Sequence, residues 1–147
     1  MRTIIFAITV AILSSIASVV QSELQKEDIL EVDYIRDGTR GYVLKLKITQ
    51  DSIIYENFGP AFHNPIAGKI ENDQKTWNSL VMSIDLKVFD EIKSAPGRGY
   101  IDGGDEHLDI KTSLHTHALL LDLNNRKPIE KTLDQINCVL AKIKGIR

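Results

Sequence analysis

Between residues 29 and 58 apolar side chains recur at every second position, a spacing that lets extended chain fill one face of a sheet. In Ile29–Arg36, Leu30, Val32 and Tyr34 share one face, and Glu31, Asp33 and Ile35 the other. Tyr42–Thr49 alternates more clearly, with Tyr42, Leu44, Leu46 and Ile48 inward and Lys45 and Lys47 outward. Ser52–Phe58, carrying Ile53, Ile54 and Tyr55, makes a third strand. Asp37-Gly38 is a turn pair, and Gln50-Asp51 is too short for a crossover. Three strands joined so tightly predict an antiparallel meander.

Gly59–Lys69 holds Pro60, Pro65, Gly59 and Gly68, and is expected to leave the sheet. Asn72 or Asp73 then caps a helix whose buried stripe is Trp77, Leu80, Val81 and Ile84, with Met82 off that stripe. Leu86–Ser94, with Val88, Phe89 and Ile92, reads as a short helical turn or a covered loop, ended by Pro96-Gly97. His107–Thr112 and His115–Leu123 form a hairpin closed around Ser113. Leu108 and Ile110 face inward; His107, Asp109 and Lys111 face outward. In the partner strand Leu119, Leu121 and Leu123 face the core, which puts His115 and His117 on that side near the rim. Ala118 and Leu120 fall on the opposite face, so this strand is expected to be central or covered on both sides. After Asn124-Asn125 and Pro128, a final helix buries Ile129, Leu133, Ile136, Leu140 and Ile143, with Val139 at the side. Cys138 projects away from that stripe and is expected to be exposed. The expected fold is α+β and two-layered: a mostly antiparallel sheet of about five strands, in the order β-β-β-α-β-β-α, with two helices on one face.

The chain has 147 residues, of which 43% are hydrophobic, so one packed domain fits the composition. A net charge of -2 and the absence of basic aromatic patches exclude a nucleic-acid partner. Arg2 is the sole early charge before the apolar run Ile4–Val20, whose strongest part, Ile4–Leu13, is short for a spanning helix. Ser15 and Ala17, or Val20 and Ser22, fit the small-x-small rule for cleavage. Residues 1–22 therefore read as a signal peptide, 23–28 as a loose leader and 29–147 as a single domain. An uncleaved leader is the one expected route to a membrane. Cys138 is the only cysteine, so the domain has no internal disulfide, although a disulfide dimer through Cys138 is open to it. No Asn-x-Ser/Thr sequon occurs. Both absences favour a bacterial periplasmic or secreted protein.

One ordered set of residues resembles a known group. It runs from Thr39-Arg40-Gly41 ahead of a strand, through Trp77 and Leu80 in a helix and Ile84 to Ile92, to Pro96, Arg98 and Asp102-Gly103-Gly104, and ends at Leu121-Asp122, Pro128 and the last helix. The pattern is similar to that of an uncharacterised family of small exported bacterial proteins, and covers nearly all of the chain after the leader. The resemblance implies a fold. It implies no activity, because none is assigned to the family.

The segment Ser94–Leu123 holds three of the four histidines and a dense group of carboxylates. His107, His115 and His117 are candidate metal ligands: zinc needs three or four donors converging at about 2 Å, and His115 and His117 point the same way on a strand. The assigned pleat turns His107 to the other side, and two histidines in a hairpin are more often simply solvated or hydrogen-bonded. Asp102, Asp105, Glu106 and Asp109 are candidates for the acid and base of a hydrolase, which need a separation of about 5–10 Å across a cleft; the plainer reading is a solvated turn. Arg40 or Arg98 is expected to anchor Asp102 and so hold the Gly103-Gly104 turn, with anion binding as the competing role. Trp77, Gly103 and Gly104 are expected to be structural. Phe58, Phe62 and His63, around the Pro-rich loop, are candidate partner contacts unless they fold back as caps. With no phosphate loop and no nucleophile signature, no cofactor is expected, and the favoured function is a non-enzymatic exported module that binds a protein, peptide or small ligand. The alternative is a hydrolytic, metal-assisted enzyme using the Asp102–His117 region.

Overall fold

In the computed structural model, residues 28–38, 41–59, 65–97 and 104–143 are described. The alternating segments form strands β1 (Ile29–Asp37), β2 (Val43–Thr49) and β3 (Ser52–Phe58). They are followed by β4 (Ile66–Glu71), helices α1 (Gln74–Ser83) and α2 (Leu86–Glu91), strands β5 (Glu106–Thr112) and β6 (Thr116–Leu121), and helix α3 (Glu130–Ala141). A 3-10 turn, Lys127–Ile129, carries Pro128 at its start and leads into α3. The six strands form one antiparallel sheet in the order β4-β3-β2-β1-β5-β6. The fold is α+β, with a sheet of six strands where about five were expected.

The added strand lies in the stretch expected to leave the sheet. Pro65 precedes its first residue, so it costs no ladder bond, and Gly68 is tolerated because the Tyr55 side chain occupies the space a Cβ would need. Leu30, expected inward, is 50% exposed. A bulge displaces it: Ile29 pairs with Thr112 and Glu31 with Lys111, so Ile29 packs against the core and the extra residue turns outward. Leu123, also expected in the core, is 82% exposed because β6 ends at Leu121 and an Asx turn follows, in which Asp122 Oδ1 accepts from the backbone N–H groups of Asn124 and Asn125.

One face of the sheet builds the core. Across the middle strands Leu119, Leu108, Tyr34, Leu46 and Tyr55 lie side by side, and the next row runs Ile110, Val32, Ile48, Ile53 and Ile70. Trp77 and Leu80 of α1, Phe89 of α2, and Ile129, Leu133, Ile136, Val139 and Ile143 from around α3 close over these rows. Each buried side chain of this size is worth about 1.5–3 kcal/mol, so the cluster dominates stability. In α3 Val139 is buried and Leu140 partly exposed, a small rotation of the expected stripe that still leaves Cys138 exposed. Asp73 caps α1 by accepting from the Thr76 N–H at 2.8 Å, and the Lys142 ammonium donates to it at 2.7 Å, holding its carboxyl well below the usual range. Thr132 Oγ donates to the Ser83 carbonyl at 2.8 Å, tying α1 to α3.

Candidate binding face

The pleat that buries the even-numbered positions of β1 and β2 turns the odd-numbered ones outward, away from all three helices. Across the middle of this second face run Lys69, Ile54, Lys47, Asp33, Asp109 and Ala118, one from each strand. The neighbouring row is Ala67, Glu56, Lys45, Ile35, His107 and Leu120. A hollow of about 340 Å³ lies here, lined among others by Asp33, Ile35, Lys45, Lys47, Ile54 and Asp109.

The charges in it are unevenly matched. Lys47 donates to Glu31 at 2.9 Å and lies 3.7 Å from Asp33. Its hydrogen bond lowers the Glu31 pKa against the opposing effect of burial. Asp33 is pushed up to about 6, first by burial and then by the nearby Glu31 charge, with Lys47 only partly offsetting them. Asp109 stands directly opposite Asp33 on β5, and burial raises its carboxyl too, eased by His107. Like charges facing each other across a sheet are destabilising. Lys47 therefore serves two carboxylates, and Asp109 makes no ion pair among the described residues. At the rim, Phe58 lies on this same side with the Lys45 ammonium 5.4 Å from its ring centre, a cation–π contact.

The inner face handles its charge differently. At the end of the sheet Arg36 pairs with Glu106, and Arg126 reaches the same carboxylate from the turn before α3, at 2.9 and 2.5 Å. Tyr34 donates its hydroxyl to Glu106 at 2.9 Å and accepts from Arg36 at 2.7 Å. Burial, then the Glu106 charge, push that phenol up to about 12, so it stays a donor. No local pattern in the sequence marks this lock, and the expected anchor joins other residues, Arg40 or Arg98 with Asp102. Those three lie outside the described residues, as do Phe62, His63 and Gly103.

Gly104 is described, and it explains how β5 docks. A Cβ there would fall inside the Asp37 carbonyl oxygen, so only glycine lets the approach to β5 pass β1 this closely. The Asp37 N–H then donates to the Asp105 carbonyl at 2.8 Å and continues the ladder toward Glu106. Trp77 is buried under α1.

The three candidate metal histidines are not brought together. His107 belongs to the outer face with Ile35 and Leu120, whereas His117 pairs with Ile110 on the inner side. His117 Nδ1 lies 2.6 Å from Asp90 Oδ1, and its ring meets Phe89 edge-on, which joins β6 to α2. His115 lies beyond the strand end, its ring 6.0 Å from that of His117. Among the described residues no group of three or more His, Cys, Asp or Glu could hold a metal ion. Nor is any described helix long and apolar enough to cross a membrane.

Asp33 is the site residue that sequence reading passed over. Alternation placed it outward, but nothing local says that its neighbour across the strand gap is another aspartate. A scan against protein-family models finds no match for this chain, and a search of curated proteins finds none either.

Proposed function

We propose that this protein is an exported, non-enzymatic binding module that takes a polypeptide segment, basic and aliphatic in character, on the helix-free face of its sheet. The observation that carries the reading is the Asp33–Asp109 pair: two carboxylates held opposite each other, with one shared lysine nearby and Ile35 and Ile54 beside them. A lysine or arginine from a partner would supply the missing counter-charge, and its aliphatic neighbours would cover the two isoleucines. Export is supported by Arg2 followed by the apolar run Ile4–Leu13 and its small-residue sites. The hollow is lined by three carboxylates and two lysines beside Ile35, Leu46 and Ile54, a charged and aliphatic lining that suits a peptide of the same character.

The test is a methyl NMR titration with short peptides in which lysine or arginine alternates with leucine or valine, against the same peptides with glutamate as the charged residue. The basic peptides are expected to shift the Ile35 and Ile54 methyls and leave Ile136 unmoved, and the double variant Asp33→Asn/Asp109→Asn is expected to lose the response. Equal shifts with both peptide sets, or none, would overturn the reading.

A further inference from the structure

The two edges of the sheet are finished differently, and the difference assigns a second interaction surface. At the C-terminal end of the β6 edge the chain covers Leu120 with its own groups. The Ala95 N–H and the Asn125 side-chain amide both donate to the Leu120 carbonyl, at 3.0 and 2.9 Å, and the Leu120 N–H donates to Ser94 Oγ at 3.2 Å. At the β4 edge nothing comparable is present: among the described residues no backbone or side-chain group bonds the outward N–H and C=O groups of Ile66–Glu71. An open edge of this length is a template for another strand.

We propose that this edge pairs with the β4 edge of a second copy of this chain, antiparallel and centred on Ile70. Side-chain chemistry selects both the occupant and the register. Lys69 and Glu71 point to the same, outer side of the sheet and are exposed. In antiparallel self-pairing, residues facing each other must share a side, so only alternate registers are open. Centring on Lys69 sets two ammonium groups against each other. Centring on Gly68 sets Lys69 against Ala67, with no charge matched. Centring on Ile70 sets Lys69 of each copy against Glu71 of the other, two cross-strand ion pairs made at once, with the two Ile70 side chains meeting on the helix side. A lone edge lysine guards against pairing; here Glu71 converts that guard into a filter for one register. The two-fold axis stands perpendicular to the sheet, so both helical layers lie on one side and both open faces on the other. The contact is a few residues long, which makes the dimer weak and reversible.

Sedimentation velocity over a concentration series, under reducing conditions so that Cys138 forms no link, tests this on the full chain. The protein is expected to move from monomer toward dimer as concentration rises, and less so in high salt. Lys69→Glu and Glu71→Lys are each expected to stay monomeric at concentrations at least tenfold higher. An equimolar mixture of the two variants is expected to regain dimer, because both ion pairs are then remade between unlike chains. Both positions are exposed, so each variant is expected to fold, with circular dichroism as the check. Wild-type protein that stays monomeric throughout, dimers indifferent to either substitution, or a mixture that fails to re-form dimer would each overturn the proposal.

Discussion

Glu106 and the Asp33–Asp109 pair sit on opposite faces of the same two strands, yet their electrostatic situations are opposed. Glu106 is 12% exposed and is met by two guanidinium groups and a phenol hydroxyl. Asp33 is 31% exposed, shares its nearest cation with Glu31 and faces a second aspartate. The inner-face carboxylate has the hydrogen bonds that make a buried charge tolerable. The outer-face pair lacks them, which leaves an excess of negative charge at the surface. A fully matched ion cluster holds an architecture together, whereas a mismatched one at a surface hollow is where a ligand gains most.

The strongest way to break the contrast is to remove the register that both sites share. Gly104→Ala is expected to cost about 3 kcal/mol or more, since its Cβ cannot coexist with the Asp37 carbonyl and β5 must shift from β1. A fall in the urea midpoint with unchanged slope checks this. Next comes Glu106→Ala, which leaves Arg36 and Arg126 facing each other and Tyr34 without its acceptor. A loss of about 2–3 kcal/mol is expected, lowered from the fully buried case because both arginines keep some solvent. Glu106→Gln, which keeps an acceptor, should lose distinctly less.

The outer pair should respond with the opposite sign. The folded-state pKa of Asp33 is raised, so the stability it contributes is fully present below its unfolded value and is lost as pH rises through about 6. At neutral pH its charge is a burden on the fold. Asp33→Asn is therefore expected to stabilise the protein by about 1 kcal/mol at pH 7, allowing for solvent screening, and to leave stability nearly unchanged at pH 3. Denaturation curves at both pH values check it; a loss of stability at pH 7 would mean that the pair is already neutralised. The smallest effect belongs to Lys47→Met, expected to cost less than about 1 kcal/mol at pH 7 as Glu31 loses its partner. Its sharper readout is the Asp33 carboxyl resonance, whose titration should move upward.

Much of the architecture was legible along the chain because periodicity is local. The alternation of Tyr42–Thr49, the stripe of Trp77, Leu80, Val81 and Ile84, and the outward Cys138 each follow from the geometry of one element. What was missed depended on partners. β4 was hidden because Pro65 and Gly68 look like breakers until Tyr55 is seen to lie over the glycine. Leu30 needed the bulge, and Leu120 needed the segment around Ala95: of the two expectations for β6, a central strand or a covered one, the sheet order removes the first, and Ala95 bonds Leu120 at the edge.

By itself the sequence determined which faces are apolar, where helices begin, and that the fold is α+β with an antiparallel sheet. Only the tertiary structure decided which strands are edges, that Asp33 faces Asp109, and that Glu106 lies between two arginines. The reason is physical. Side-chain direction repeats with the period of one strand or helix, but the β1–β5 pairing that sets Asp33 against Asp109 joins residues 70 to 83 positions apart, and no local pattern records which residue will stand opposite.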